Sequence, residues 1–326
     1  MAVNGLPLVP GARGPAVQDL QQRLHRLGFA PVDDDGSFGP LTEAAVRRFQ
    51  DARGLRADGR CAEQTWNALV EAGFSLGDRL LYERRPMLRG DDVAELQSRL
   101  GRLGFHAARV DGIFGPETTA ALVDFQRNAG CTSDGICGPD TLAALDRLGL
   151  RTDHTTKAGV RETEALLRAP RLLAGRTVFV GEHGGLAVVV ANLERALQED
   201  GALVIVSHHP SESVQASEAN EAKADVFLGV ATSSAAGCVT AYYSTATFES
   251  AGGHGFAHRL ADELASVVHP DPSIARGMRL PVLRETRMPA IVCEIGPPER
   301  LVSASTTIAA AVRQAMSRWL AAPLDV

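Results

Sequence analysis

The chain has 326 residues, of which 45% are hydrophobic, and a formal net charge of −6 at pH 7. At about 100–200 residues per domain, this length predicts two or three domains that each bury a core. Nucleic acids and anionic membranes attract proteins with a concentrated basic face, so the acidic charge balance argues against both classes of partner.

The N-terminal stretch MAVNGLPLVPGARG carries neither the charged region nor the long apolar region of a secretory signal peptide. No window of about 18 uninterrupted apolar residues, the length needed to cross a bilayer, occurs in the sequence. The 5 cysteines form no clustered pairs, which is typical of proteins in a reducing compartment. The sequence therefore predicts a cytoplasmic protein without a membrane span.

The first half of the chain contains an internal repeat. The segment DGSFGPLTEAAVRRFQDARGLRADG begins at Asp35 and returns as DGIFGPETTAALVDFQRNAGCTSDG at Asp111, an offset of 76 residues without a gap. The match continues upstream, where VQDLQQRLHRLGF corresponds to VAELQSRLGRLGF. This periodicity predicts two copies of one module, residues 11–73 and 87–150, in which the equivalent cysteines Cys61 and Cys137 are small buried side chains.

Each copy is predicted to contain three short helices. In the first copy, Val17, Leu20 and Leu24 recur at helical spacing, and Gly-Pro pairs and Asp-Gly turns separate the helices. The run DDDGSFGPLTE invites comparison with a calcium-binding loop, but that register places Pro31 and Thr42 at the first and last ligand positions. The aspartates are therefore interpreted as turn formers and not as calcium ligands.

These motifs together resemble the peptidoglycan-binding module of bacterial wall enzymes. The shared pattern is D-G-x-F-G-P-x-T, then F-Q, then D-G, preceded by L-Q-x-R-L-x-x-L-G-F. The resemblance covers both copies and implies a three-helix fold that holds glycan strands or stem peptides. Most of the matching residues are expected to build turns and core, so the resemblance assigns no individual binding residue.

A polar, threonine-rich stretch, residues 151–175, follows the repeat and is predicted to be a linker that ends in a short helix. Beyond it, the apolar runs RTVFVG, ALVIVSHH, DVFLGVA and AIVCEIG alternate with amphipathic patterns such as ANLERALQEDG. That alternation predicts a mostly parallel α/β domain over residues 176–321, with helices on both faces of the sheet. The predicted fold class is thus α/β, with two small all-α three-helix modules in front of the mostly parallel α/β domain.

The order of these segments resembles the zinc-dependent N-acetylmuramoyl-L-alanine amidase family of peptidoglycan hydrolases. VFVGEHGG is similar to the family's D-P-G-H-G-G strand end, EANEAKADVFLGVA to its A-N-x-x-x-A-D-x-x-x-S-x-H, and LPVLRETRMPAIVCEIG to its L-R-x-x-x-M-P-A-x-x-x-E-x-G. The resemblance implies cleavage of the amide between muramic acid and L-alanine. It also implies zinc held by two histidines and a glutamate, with a second glutamate moving protons at the metal-bound water.

Matched residue by residue, His183 falls on the first histidine ligand and Glu294 on the proton-transferring glutamate. Ala231 replaces the second histidine, and deletion of a loop puts the place of the glutamate ligand at about Glu182, while Glu194 is interpreted as helix surface. One protein ligand does not hold zinc, because a closed ligand shell is what offsets desolvation and ligand deprotonation. The resemblance therefore implies a degenerate zinc site in which His183 and Glu294 are vestigial, and no cofactor is expected to bind. His183, Ala231 and Glu294 are all expected near the carboxyl ends of the strands, where sites form in such sheets.

Alternatives to this interpretation stay open. His208 and His209 follow the second strand of the domain, and whichever of them faces the site would form a new cluster with His183. Cys293 precedes Glu294 and is expected to point to the opposite side of its strand, into the core.

Three functions are compatible with these features. The first is a non-catalytic relative of the amidases that acts in recognition or regulation of cell-wall precursor synthesis. Its partner would be a peptidoglycan fragment or precursor, or a protein of cell-wall synthesis. The second is an active zinc-dependent amidase with non-standard ligands, and the third is a structural adaptor without affinity for muropeptides.

Overall fold

The computed structural model describes residues 5–105, 109–149, 160–182, 185–245 and 248–324. The predicted site residue His183 lies outside these ranges. The chain divides into two compact units, Met1–Ala158 and Gly159–Val326, and each unit is described by itself. No helix within the described ranges is both long and apolar enough to cross a membrane.

The first unit holds the two copies of the repeated module, and each copy contributes three helices, as the sequence predicts. The helices are α1 (Pro15–Arg26), α2 (Pro40–Ala52) and α3 (Glu63–Glu71) in the first copy, and α4 (Asp91–Arg102), α5 (Pro116–Ala129) and α6 (Pro139–Gly149) in the second. Proline begins the second helix of each copy because its fixed φ fits the first helical turn, where its missing amide hydrogen is not needed.

Each module buries its own hydrophobic core, and equivalent residues build the two cores. Phe49 and Phe125 are fully buried, and each meets a second phenylalanine ring edge-on at centroid distances of 5.6 and 5.4 Å. Cys61 and Cys137 are buried as predicted, and each forms an isolated antiparallel backbone bridge with a leucine, Leu8 and Leu81 respectively. Burial raises the pKa of both thiols to about 12, so both are neutral apolar side chains at pH 7.

A buried glutamine fastens each Asp-Gly turn to the neighbouring helices. Gln50 is 1% exposed, and its Nε2 donates to Asp58 Oδ1 (2.9 Å), the Arg60 carbonyl (2.9 Å) and Thr65 Oγ1 (3.0 Å). Its Oε1 accepts the amide hydrogen of Gly59 at 2.8 Å. A carboxamide suits this position because it both donates and accepts, so the polar groups of the turn are satisfied inside the module.

The same arrangement occurs four times in the described part of the first unit. Within each module, the first glutamine lies 15 residues before its glycine and 21 before its threonine, and the second lies 9 and 15 residues before them. All four glycines have φ between 69° and 77°, the left-handed region that favours glycine. Each module is therefore built from two related halves. The four sets are Gln21, Gly36 and Thr42; Gln50, Gly59 and Thr65; Gln97, Gly112 and Thr118; and Gln126, Gly135 and Thr141.

The second unit is an α/β domain with one six-stranded sheet. Its strands are β1 (Thr177–Glu182), β2 (Leu203–Ser207), β3 (Val226–Thr232), β4 (Gly237–Tyr243), β5 (Ser273–Met278) and β6 (Ala290–Gly296). Its helices are α7 (Val160–Arg168), α8 (Ala187–Glu199), α9 (Glu212–Glu221), α10 (Ala251–Val268), α11 (Pro281–Glu285), α12 (Pro298–Ser303) and α13 (Ser305–Ala321). The first of these helices lies within the stretch predicted as a linker, and its Glu162 accepts a hydrogen bond from Ser250 Oγ at 2.6 Å.

The strand order is β2-β1-β3-β6-β4-β5, and the first four strands run parallel to one another. β4 pairs antiparallel with β6 and parallel with β5, so the last two strands run in the opposite direction. The prediction of a mostly parallel α/β domain is confirmed. The four apolar runs of the sequence form β1, β2, β3 and β6, whereas β4 and β5 lie outside those runs.

Helices cover both faces of the sheet, as predicted. α8, α10 and α13 pack on the face that carries Val178, Val180, Leu228 and Cys293, and together they form the largest core of the unit. The stacked rings of Phe179 and Phe227 lie on the opposite face, because alternate residues of a strand point to opposite sides. α9 packs on that face and against α11.

Candidate functional site

The parallel strands bring the predicted site positions of β3 and β6 together. Ala231 of β3 pairs in register with Glu294 of β6, at the edge where the carboxyl ends of the parallel strands meet. The two residues lie side by side and share one face of the sheet, because directly paired residues project to the same side. The structure thus places two of the three matched positions next to each other.

Glu294 projects away from the main core. Its neighbours Cys293 and Ile295 belong to the cluster beneath α8, α10 and α13, so the carboxylate between them lies on the opposite face, half-buried. Cys293 is a core residue, in agreement with the sequence. Its Sγ lies 3.8 Å from that of Cys238, and this contact, together with complete burial, raises the pKa of the Cys293 thiol well above its ordinary value. A nucleophilic role for Cys293 is therefore disfavoured, since the thiolate is the reactive form.

Glu182 ends β1 as a buried carboxylate, and its residue is only 2% exposed. It pairs in register with Val230, a residue of the main core, so its side chain starts on the face opposite to that of Glu294 and Ala231. Its carboxylate forms a hydrogen bond with Nδ1 of His208, the first residue after β2. The two carboxylates of this sheet edge are consequently directed to different faces and do not converge.

The two histidines after β2 are held differently. His208 has an exposed side chain paired with Glu182, whereas His209 Nδ1 accepts the amide hydrogen of Ser211 at 3.0 Å. Gln215 of α9 is 1% exposed and donates to the carbonyls of Glu182 (3.0 Å) and His209 (2.6 Å), which fixes the ends of β1 and β2. Sequence reasoning missed this glutamine, because its helix shows no clear amphipathic pattern.

The remaining acidic candidate lies on the helix surface. Glu194 is half-exposed in the middle of α8, and its carboxylate accepts a hydrogen bond from Gln198, one turn further on, at 3.2 Å. Among the residues that the structure describes, no three histidine, cysteine or acidic side chains are grouped so that they hold a metal ion.

The first module carries an open cleft of about 310 Å³ between α1 and the loop that follows it. Its lining residues are Gln21, Gln22, His25, Arg26, Pro31, Asp33 and Asp35. Burial acts to raise the pKa of Asp33, but hydrogen bonds from Thr42 and from the backbone amides of Leu41 and Gly39 hold it below its ordinary value.

The second module differs in sequence at the positions that line this cleft, although it has the equivalent glutamine, glycine and threonine in its first turn. At the repeat offset, Gly101 takes the place of His25 and Arg109 takes the place of Asp33, while Arg102 corresponds to Arg26. The position of His25 therefore carries an imidazole in the first module and no side chain in the second, and the charge at the position of Asp33 is reversed.

Comparison with known proteins finds relatives of both units. Residues 13–69 and 89–145 match a family model described as a putative peptidoglycan binding domain. Over 340 aligned positions the chain is 30% identical to N-acetylmuramoyl-L-alanine amidase CwlM of Mycobacterium tuberculosis, covering 90% of this chain and 82% of that protein.

A second relative and a solved structure match only part of the chain. A probable N-acetylmuramoyl-L-alanine amidase of Bacillus licheniformis is 32% identical over 148 positions, which span 40% of this chain and 42% of that protein. The solved N-acetylmuramoyl-L-alanine amidase of Clostridium difficile 630 aligns with a TM-score of 0.39 at 24% identity, covering 45% of this chain and 97% of the other.

Proposed function

The chain belongs to the N-acetylmuramoyl-L-alanine amidase family, and from this premise we propose that it is a non-catalytic member which recognises peptidoglycan fragments or precursors and acts in regulating their synthesis. The observation that carries the proposal is Ala231. It lies beside Glu294 at the sheet edge, where the family resemblance expects a histidine ligand, and a methyl group has no lone pair to donate to a metal.

The described residues do not fit the zinc site that the family implies. A hydrolytic zinc needs three protein ligands around one point, with a fourth position open. Ala231 supplies no donor, and the side chain of Glu182 starts on the face opposite to Glu294. We therefore assign Glu294 no part in proton transfer.

The proposed activity is recognition through the peptidoglycan-binding modules. In the first module, His25 and Arg26 line the cleft of about 310 Å³. A guanidinium group recognises carboxylates well, and stem peptides carry free carboxylates. We propose that the protein acts in the cytoplasm, where peptidoglycan precursors are made, and its five free cysteines fit that compartment.

One contact favours the second candidate function, an active amidase with non-standard ligands. Glu182 and His208 are hydrogen-bonded to each other at the carboxyl ends of β1 and β2. Glu182 directly precedes His183 in the sequence. The hydrogen-bonded pair supplies a carboxylate and an imidazole at the family's edge of the sheet. Zinc bound through His183, together with hydrolysis, separates the two candidates.

We expect no zinc bound through His183 and no release of stem peptides from muropeptides. Zinc would be measured by mass spectrometry of the purified, untagged protein and of its His183→Ala variant. Hydrolysis would be followed by chromatography, with a zinc-containing amidase as the positive control. One zinc ion per chain that is lost in His183→Ala, together with peptide release that is lost in Glu294→Gln, would establish the active amidase instead.

We expect the full chain to bind soluble muropeptides and the variant Arg26→Ala to bind them about tenfold more weakly, because a charge-assisted hydrogen bond contributes about 1.5–3 kcal/mol. Isothermal titration calorimetry measures the affinity. Arg102→Ala is the matched control, since it removes the equivalent arginine of the second module. Absence of binding in the unaltered chain, with a protein partner co-purifying, would replace recognition of wall fragments by the adaptor function.

A further inference from the structure

A pair of histidines lies at the start of α10. His254 and His258 are one helical turn apart on the same side of the helix, and their ring centroids are 4.3 Å apart. The Tyr242 ring of β4 contacts both, with its centroid 5.1 Å from that of His254 and 6.1 Å from that of His258. Both imidazoles are half-buried, and the side chain of His254 keeps 26% of its surface accessible.

Two carboxylates border the pair. Glu249 Oε1 lies 3.9 Å from His254 Nε2, and Glu249 Oε2 accepts a hydrogen bond from the Tyr242 hydroxyl at 3.3 Å. Asp262 follows one helical turn beyond His258, and both acids act to raise the pKa of that imidazole. Burial and the adjacent His254 outweigh them and lower the pKa of His258, so its imidazole is neutral at pH 7.

The tyrosine beside the pair stays protonated. Burial raises the pKa of Tyr242 to about 12, and the nearby carboxylate of Glu249 acts in the same direction. The phenol therefore remains a hydrogen-bond donor that holds Glu249 in place, and it adds no negative charge of its own. The local charge comes from Glu249 and Asp262, and it favours a cation.

This cluster is separate from the edge of the sheet that carries Glu294. Tyr242 pairs with Ile291 near the start of β6, whereas Val239 pairs with Glu294 near its end. Because β4 runs antiparallel to β6, the end of β4 and the start of α10 lie at the opposite edge of the sheet.

We propose that His254 and His258 bind one divalent transition-metal ion, Zn²⁺, Ni²⁺ or Cu²⁺, through one ring nitrogen each. Two histidines four residues apart on one helical face form a recognised chelating arrangement, and imidazole suits these metals. Since the described residues contain no ready set of three donors, water or an external ligand completes the coordination. The carboxylates of Glu249 and Asp262 favour the bound cation by their charge.

The test is calorimetric titration of the untagged full chain with Ni²⁺. We expect one ion per chain, and we expect His254→Gln or His258→Gln to weaken binding about 100-fold, since even loss of a supporting contact costs 10–100-fold in metal affinity. The matched control is His269→Gln, which removes an exposed histidine just beyond the other end of α10. His183→Ala is expected to leave Ni²⁺ binding unchanged, which separates this site from the family's zinc position.

Electron paramagnetic resonance of the Cu²⁺-loaded protein gives a second readout that does not depend on stability. Two nitrogen ligands are expected in the unaltered chain, and one in each glutamine variant. Failure to bind Ni²⁺ and Cu²⁺, or binding that survives in the double variant His254→Gln/His258→Gln, would overturn the proposal and leave the pair as part of the packing between α10 and β4.

Discussion

Replacement of Gln50 by leucine is expected to destabilise the first module by about 3 kcal/mol, because each buried polar group left without its partner costs about 1–3 kcal/mol. Leucine is close to glutamine in volume, so the change removes hydrogen bonds without opening a cavity. The buried amide of Gly59 and the buried hydroxyl of Thr65 both lose a partner. The second module has its own glutamines and its own core, and it is expected to stay folded.

Amide hydrogen exchange of the full chain, followed by mass spectrometry, measures this effect module by module. A loss of about 3 kcal/mol corresponds to exchange roughly 100-fold faster in α2 and α3. The control is Gln22→Leu, an exposed glutamine of α1, which is expected to change nothing. Uniform acceleration in both modules, or no acceleration at all, would contradict the role assigned to Gln50.

The four glutamines also show which features of the modules can be predicted from the sequence and which cannot. The repeat, the three helices of each copy and the Asp-Gly turns are local features, so periodicity and turn chemistry predict them. The hydrogen bonds from one glutamine join groups 8, 10 and 15 residues away. Glutamine at a buried helical position looks like an ordinary polar residue until the fold brings its partners together.

In the α/β domain, the predicted strands are those with long apolar runs. β1, β3 and β6 are buried between helices on both faces, which requires apolar residues at nearly every position. β5 is an edge strand whose exposure alternates, and its sequence SIARGM includes a glycine and an arginine. β5 is a strand because it pairs with β4, and no local sequence pattern predicts that pairing.

The candidate site was predictable to the extent that it depends on strand ends. The positions of Ala231 and Glu294 follow from the parallel arrangement and the motif spacing, and the structure places them in register. The bond between Glu182 and His208 joins residues 26 apart on two strands, and it depends on how β1 and β2 are aligned. The histidine pair on α10 lies outside the family's motifs, although its spacing is visible in HGFAH.

Replacement of Asp92 by alanine is expected to destabilise the second module by about 3 kcal/mol, the lower end of the cost of breaking a buried ion pair. The side chain of Asp92 is fully buried, and Arg79 donates to it from Nε (2.7 Å) and Nη2 (3.1 Å). Arg79 also lies over the Phe74 ring, 3.8 Å from its centroid. The expected cost lies at the lower end of that range because the side chain of Arg79 is 23% exposed and regains some hydration.

The neighbouring residue supplies a control with the same change of charge. Asp91 is 33% exposed and pairs with Arg53, so Asp91→Ala is expected to cost less than about 1 kcal/mol. Hydrogen exchange in α4 should accelerate roughly 100-fold in Asp92→Ala and less than tenfold in Asp91→Ala. Equal effects would mean that net charge matters more than burial.

The double variant Arg79→Met/Asp92→Leu should recover most of the stability, because apolar side chains replace a buried ion pair without leaving one charge behind. In the first module an apolar residue, Ala16, occupies the position equivalent to Asp92 and packs against the core.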